Sequence, residues 1–335
     1  YNTSMNLQAR IKGFVTLGQQ LSDTQNSQLL TAKDEAYRQN AWFLPEFIDQ
    51  AIQQISQQFL QEHTLLDWTS NYPSIADEPT QLKVGIVMAG NIPLVGFHDL
   101  LSTLIAGHIA VVKRSSKDQI LMDFIIESLI QINPDFKTQI LVQEQLKNCD
   151  AYIATGGNNA GNYFEYYFGK FPNIIRKNKT SIAILDGHET EAELALLADD
   201  CMLYFGMGCR NVTQIWVPEG YDFIPLLGAL KKYNYLLDQH KYKHNYDYQL
   251  ALLMMSKQLY MDSGGVLMSE NPSPFAAISQ IHYQHYQLEN IPQFNLEEIQ
   301  AVVGKNHLPF GSLQKPVLAQ YADGVDSLAF LTGLR

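Results

Sequence analysis

The sequence predicts an α/β protein whose first half is a doubly wound parallel sheet. Three observations carry this. Short Val/Ile-rich runs alternate with segments of helical spacing, turn-forming or glycine-rich motifs stand just past several of those runs, and no repeat or low-complexity tract interrupts the pattern. In such sheets ligands gather outside the carboxyl ends of the strands, so the motifs at those ends are the candidates for chemistry.

Pro45 to Leu60 places Phe47, Ile48, Ile52, Ile55 and Phe59 at spacings of three and four behind a proline suited to a first helical turn, which predicts an amphipathic helix. Lys83 to Ala89 reads as a buried strand ending at Gly90-Asn91-Ile92-Pro93. Leu94 to Ile105 then has helical spacing and closes at Gly107, and Ile109 to Lys113 is strand-like again. The pattern repeats with a helix over Ile120 to Ile132, a strand over Gln139 to Val142, and a strand over Ala151 to Ala154 that runs into Thr155-Gly156-Gly157. Beyond Asp186 the sequence predicts a helix from Thr190 to Tyr204, a strand-like Val212 to Val217, a tyrosine-rich stretch and a strand over Gly265 to Met268.

A length of 335 residues suits two ordinary domains, or one with a large insertion, and excludes a small binding module. With 46% hydrophobic and 17% charged residues the chain can bury a substantial core, which sets disorder aside. The net charge of −11 and the absence of any Lys/Arg run longer than Lys231-Lys232 argue against nucleic-acid or anionic-membrane binding. Uncharged runs such as Leu100 to Val112 are shorter than the roughly 20 residues that span a bilayer. No export signal is read, and the three cysteines, an odd count, argue against a disulfide framework, so a cytoplasmic location is expected. With Met5 close to the start, two readings of Tyr1 to Ser4 stay open, native residues or additions to the natural chain.

Three constellations could carry chemistry. In the first, Asn91 could donate to a developing oxyanion, while Lys113, in Lys113-Arg114-Ser115-Ser116, could reach a ribose or phosphate. The bland reading is a turn residue and a solvated basic patch. In the second, Thr155-Gly156-Gly157-Asn158-Asn159-Ala160-Gly161 could bring backbone N–H groups to a phosphate at a helix start. Gly156 and Gly161 have P-loop spacing, but Asn162 and Tyr163 stand where Lys and Ser/Thr are required, so an ATPase is excluded. The third is Phe205-Gly206-Met207-Gly208-Cys209-Arg210-Asn211, where small neighbours would let a carbonyl approach Cys209. A lone cysteine is as a rule an inert buried residue, and that reading is given to Cys149 and Cys201. No metal is expected, because neither His240/His244 nor His282/His285 has a ligand partner at suitable spacing, and the tyrosines from Tyr233 to Tyr248 read as packing or an interface.

Together these elements, over Lys83 to Val217, resemble the aldehyde dehydrogenase superfamily, and within it the fatty acyl-CoA reductases of the bioluminescence type. Asn91-Ile92-Pro93 is similar to that family's Asn-Phe-Pro, implying an oxyanion hole from Asn91 and the Cys209 N–H. Lys113-Arg114-Ser115-Ser116 is similar to Lys-Pro-Ser-Glu, implying Lys113 on the adenosine ribose, and Thr155-Gly156-Gly157 is similar to the Thr-Gly-Ser turn near the pyrophosphate. Cys209 falls on the nucleophile. Glu270-Asn271-Pro272-Ser273-Pro274 resembles Glu-x-Phe-Gly-Pro, implying Glu270 on the nicotinamide ribose, and Pro309-Phe310-Gly311 echoes a C-terminal Pro-Phe-Gly turn.

Two departures matter. Ser116 replaces the glutamate of Lys-Pro-Ser-Glu, which favours NADPH over NADH. Ile175-Arg176-Lys177-Asn178-Lys179 stands where aldehyde-oxidising members carry Glu-Leu-Gly-Gly-Lys, so the carboxylate that activates water is missing. The resemblance therefore implies an aldehyde dehydrogenase-like fold with a dinucleotide domain over residues 1–186 and a catalytic domain over 187–335. It also implies a homodimer or tetramer and NADPH-dependent reduction of an acyl-CoA to the aldehyde through a Cys209 thioester. The alternatives are an acyl-phosphate reductase of the same fold, or a silent dehydrogenase-fold protein that binds nucleotide or a partner.

Overall fold

The computed structural model describes residues 5–75, 80–287, 290 and 292–334, so both readings of Tyr1 to Ser4 lie outside the described residues. The chain forms two compact units, Tyr1–Asn178 with Val317–Arg335, and Lys179–Pro316.

In the first unit the four predicted strands and one that was not expected, β5, form five parallel strands: β1 (Lys83–Val87), β2 (Ile109–Lys113), β3 (Ile140–Val142), β4 (Ala151–Thr155) and β5 (Asn173–Arg176). Their order, β3-β2-β1-β4-β5, reverses between β1 and β4. That reversal is the topological switch point, where crossovers leave to opposite sides and a crevice opens. The connecting helices are Phe97–Ile105, Gln119–Ile132 and Asn158–Phe168, and the first buries Phe97, Leu100, Leu101, Leu104 and Ile105 almost completely. Each such side chain contributes roughly 1.5–3 kcal/mol of burial. All five apolar residues of the Pro45 helix are buried, but the α-helix ends at Gln54 and passes into a π-helical turn over Ile55–Phe59.

The chain's last segment completes this unit. Leu318, Leu328 and Leu331 enter its core, and the Trp68 indole donates to the Tyr321 hydroxyl at 2.7 Å while Tyr72 donates to Asp326 at 2.7 Å.

The second unit has six strands, β6 (Thr180–Ile184), β7 (Val212–Pro218), β8 (Tyr260–Asp262), β9 (Leu267–Glu270), β10 (Gln280–Tyr286) and β11 (Ile299–Gly304), in the order β11-β6-β7-β10-β9-β8. Only β8 runs antiparallel. The predicted helix is observed over Glu191–Met202, started by a capping box between Thr190 and Glu193. The strand expected from Gly265 begins at Leu267, because Gly264, at φ +96°, is still turning the chain. The tyrosine-rich stretch is largely packing: Tyr233, Tyr242 and Tyr246 are buried, with hydroxyls bonded to Asp199, the Gly265 carbonyl and Asp262.

The division between units differs from the expected one. It falls between Asn178 and Lys179 rather than at Asp186, because β6 pairs with β7 and β11, and residues 317–335 return to the first unit. Among the described residues no helix is long and apolar enough to cross a membrane.

Candidate active site

Within the first unit, the expected residues of the dinucleotide motifs assemble on one edge. β2, β1 and β4 are adjacent and parallel, so their carboxyl ends bring Lys113, the Gly90–Pro93 arc and Thr155-Gly156-Gly157 to the switch point. Lys113 and Ser116 are exposed, and Asn91 is half-buried. Arg114 is drawn aside into an ion pair with Asp123.

The two glycines after β4 differ physically. A Cβ on Gly156 would lie 2.9 Å from the Ala160 Cβ and 3.0 Å from the Phe164 ring, so packing requires glycine there. On Gly157 it would meet nothing within 4 Å. Gly157 is the exposed N-cap of the Asn158–Phe168 helix, at φ −67° and ψ 170°, a conformation open to any residue. Beneath them, Arg176 at the end of β5 donates to Asp99 at 2.7 Å and to the Thr155 hydroxyl at 3.3 Å, a buried ion pair that ties β4, β5 and the Phe97 helix together. Arg176 lies in the stretch where aldehyde-oxidising relatives would carry their glutamate, and here it is a structural cation.

In the second unit Cys209 occupies the turn before β7. It is half-buried, whereas Cys149 and Cys201 are buried and burial pushes both thiols up. The inert, buried reading suits those two, while Cys209 is partly accessible. The approach to Cys209 is a strained loop: after Met202 the chain turns through Tyr204, Phe205 and Gly206, all left-handed at φ +56°, +57° and +72°. For the two non-glycine residues this costs of order 1–3 kcal/mol each.

Asn211 holds that loop. Its side chain is fully buried, with Oδ1 accepting from the Gly208 N–H at 2.8 Å and Nδ2 donating to the carbonyls of Leu203, Asp200 and Cys201 at 2.8, 3.0 and 3.3 Å. From the other side the Ser181 hydroxyl donates to the Cys209 carbonyl at 3.1 Å. Asp200, one helical residue before Cys201, also accepts from the N–H groups of Gly311 and Leu313 at 2.6 and 3.1 Å. This anchors the Pro309-Phe310-Gly311 turn behind the cysteine loop. Desolvation raises the Asp200 pKa to about 7 against those two hydrogen bonds. Sequence reasoning missed the role of both residues; the only signal for Asn211 was an amide directly before a strand.

Glu270 is the last residue of β9. Through Tyr283 it is level with Ile215, inside β7 and away from its first residue, and it is exposed. The following segment turns back instead: the Thr213 hydroxyl donates to the Pro274 carbonyl at 2.5 Å, and buried Gln214 donates to the carbonyls of Asn271, Pro272 and Ser273 at 3.2 Å each. Among the described residues no group of three or more His, Cys, Asp or Glu could hold a metal ion.

Solved structures share this fold. An aldehyde dehydrogenase from Mycobacterium tuberculosis complexed with NAD+ superposes with a TM-score of 0.62 at 15% identity, covering 86% of this chain and 70% of the other. Aldehyde dehydrogenase 21 from Physcomitrella patens, in complex with succinate, gives 0.64 at 11% identity over 85% and 70%. Two curated relatives are a long-chain acyl-protein thioester reductase from Aliivibrio fischeri, 23% identical over 219 residues, and long-chain acyl-protein thioester reductase 2 from Photobacterium leiognathi, 23% identical over 192. The matches cover 58% and 51% of this chain but only 44% and 40% of the relatives. The family model for acyl-CoA reductase (LuxC) matches residues 14–224, well over half of the sequence, and so the chain belongs to the LuxC acyl-CoA reductase family.

Proposed function

We propose that this chain reduces a fatty acyl thioester, presented as acyl-CoA, to the aldehyde with NADPH, using Cys209 as nucleophile. The observation that carries the reading is Cys209 itself, the one partly accessible thiol, set on a strained loop and braced through Asn211.

The first unit suits a dinucleotide. Neither packing nor backbone conformation requires glycine at position 157, and close approach of a pyrophosphate to the backbone does. Lys113 is free to reach the ribose, and Ser116 presents no carboxylate to repel a 2′-phosphate. When bound, the reduced cofactor supplies a hydride to the acyl carbon.

The chain's own residues perform the remaining chemistry. The Cys209 thiolate attacks the thioester carbonyl, the carbon–sulfur bond to CoA breaks, and CoA leaves as a thiolate that takes up a proton. After hydride addition the thiohemiacetal oxyanion collapses, the bond to Cys209 sulfur breaks, and aldehyde departs with the cysteine thiolate regenerated. Asn91 donates to the oxyanion in both steps, an interaction worth about 10²–10³ in rate. With Ile175 standing where the water-activating glutamate would be, and Arg176 beside it committed to Asp99, the acyl-enzyme is not steered to hydrolysis. The names of the curated relatives, acyl-protein thioester reductases, support the same thioester chemistry with a different carrier.

The test is intact mass with peptide mapping after mixing the protein with dodecanoyl-CoA in the absence of nicotinamide. A dodecanoyl adduct on Cys209 that disappears with release of dodecanal on adding NADPH is expected. No adduct from dodecanoyl-CoA sinks the acyl-CoA reading.

A further inference from the structure

The arc that carries Asn91 is fixed to the β2–helix turn at both of its ends, and both attachments lie within the first unit. At the near end Gly90 packs onto Ser115 so closely that an added Cβ would lie 2.3 Å from the Ser115 Oγ and 2.6 Å from its Cβ, so no other side chain fits without displacing one of the two loops. At the far end the Leu94 N–H donates to Asp118 Oδ2 at 2.7 Å. Leu94 is a buried residue held left-handed at φ +56°, a conformation that persists only where surroundings enforce it.

The turn that receives these contacts is itself stiff. The Asp118 N–H donates to the Ser115 carbonyl at 3.1 Å, and Asn40 donates to the Lys117 carbonyl at 3.1 Å. Asp118 stands where a residue would ordinarily cap the following helix Gln119–Ile132, yet its side chain makes no cap bond. It is 3% exposed, and its other oxygen, Oδ1, accepts no hydrogen bond among the described residues. Burial raises its pKa well above the ordinary carboxylate range, with the Leu94 bond pulling the other way. A carboxyl kept buried at this cost, bonded to one backbone N–H of the arc and not to its own helix, is placed for the arc.

We propose that Asp118 is a positioning residue that acts through Asn91, holding the arc so that the amide stands where the oxyanion forms and locking that position to the turn that carries Lys113 and Ser116. The inference rests on the reading of Asn91 as the oxyanion donor to a Cys209 acyl transfer. A displacement of about 1 Å at such a donor costs on the order of 10²-fold in rate.

The experiment is a double-mutant cycle on the full chain, read as the rate of Cys209 acylation by dodecanoyl-CoA without nicotinamide, with circular dichroism and thermal melting on every variant. Asn91→Ala and Asp118→Leu should each slow acylation by about 10²-fold. Asp118→Leu in the Asn91→Ala background should cost no more than about a further threefold, because both remove one contribution. Asp118→Asn keeps an acceptor oxygen for Leu94 and should recover the rate to within about threefold of the parent. Should Asp118→Leu not fold, Gly90→Ala tests the other attachment: it should slow acylation, and Ser115→Gly in the same chain should restore it.

Loss by Asn91→Ala with none by Asp118→Leu overturns the inference and leaves the site reading standing, as do multiplicative losses in the double variant. If Gly90→Ala carries that test, an unslowed rate, or no recovery with Ser115→Gly, overturns it likewise. No adduct on Cys209, or an unaffected Asn91→Ala, overturns both.

Discussion

The Asn211 carboxamide oxygen accepts the Gly208 N–H at 2.8 Å, which places one fully buried side chain in direct control of the backbone that enters Cys209. Its amide group spends its donors on three carbonyls at the end of the preceding helix, so one residue closes the loop over the left-handed stretch Tyr204–Gly206. The strain of that stretch persists because these bonds over-determine it.

Asn211→Ala leaves a buried N–H and several buried carbonyls short of partners, and should destabilise the protein by about 2–4 kcal/mol. Urea denaturation measures this, and iodoacetamide labelling should show an altered rate at Cys209 even under conditions where the variant is folded. A midpoint equal to that of the parent protein would mean that the loop is held by something other than Asn211.

Asp200 predicts a pH dependence of known sign. Its pKa is raised from 3.8 to about 7 in the folded protein, so between these values the native state keeps a proton that the unfolded chain has lost. The stability it contributes is therefore fully present below pH 3.8 and lost as pH rises through about 7. Relative to Asp200→Asn, the parent protein should lose a few kcal/mol between pH 5 and pH 8, at about 1.4 kcal/mol per pH unit at most. Parallel pH–stability curves for the two proteins would discard the assignment.

The two glycines after β4 should separate stability from binding. Gly156→Ala forces a Cβ against Ala160 and Phe164, and should cost about 1–3 kcal/mol. Gly157→Ala enters open space at an ordinary φ, and should stabilise the fold by about 0.4–1 kcal/mol while raising the KM for NADPH. Melting temperatures together with steady-state kinetics test both; an unchanged KM in the second variant would remove Gly157 from the cofactor site.

Ser116→Glu should invert cofactor preference. A carboxylate on that exposed turn repels a 2′-phosphate and offers an acceptor to a 2′-hydroxyl, lowering kcat/KM for NADPH by about 10- to 100-fold while sparing NADH. Comparable losses with both cofactors would place the 2′ position elsewhere.

Four of the five strands of the first unit were readable because buried parallel strands are apolar runs and their connections end in turn residues; β2 was found to the residue, and the edge strand β5 was not read. The position of Cys209 was legible as a motif. What holds it was not, since Asn211 and Asp200 act through hydrogen bonds to backbone groups and leave no periodic trace, and the same is true of Asp118 and the arc it holds in the first unit. The surroundings of Glu270 were not legible for a related reason: its motif match carried no information on register, and the chain after β9 doubles back over Gln214. Asp186 was taken as a boundary because a helix follows it, whereas β6 before it already pairs with β7.

Leu318, Leu328 and Leu331 belong to a core whose other members all precede residue 179. During synthesis that core stays open, with Trp68 and Tyr72 lacking Tyr321 and Asp326, while the whole intervening unit is made. At ribosomal speeds of about 5–20 residues per second the wait is roughly seven to thirty seconds. The contiguous second unit can close first, and the core of the first unit cannot be completed until Leu331 emerges.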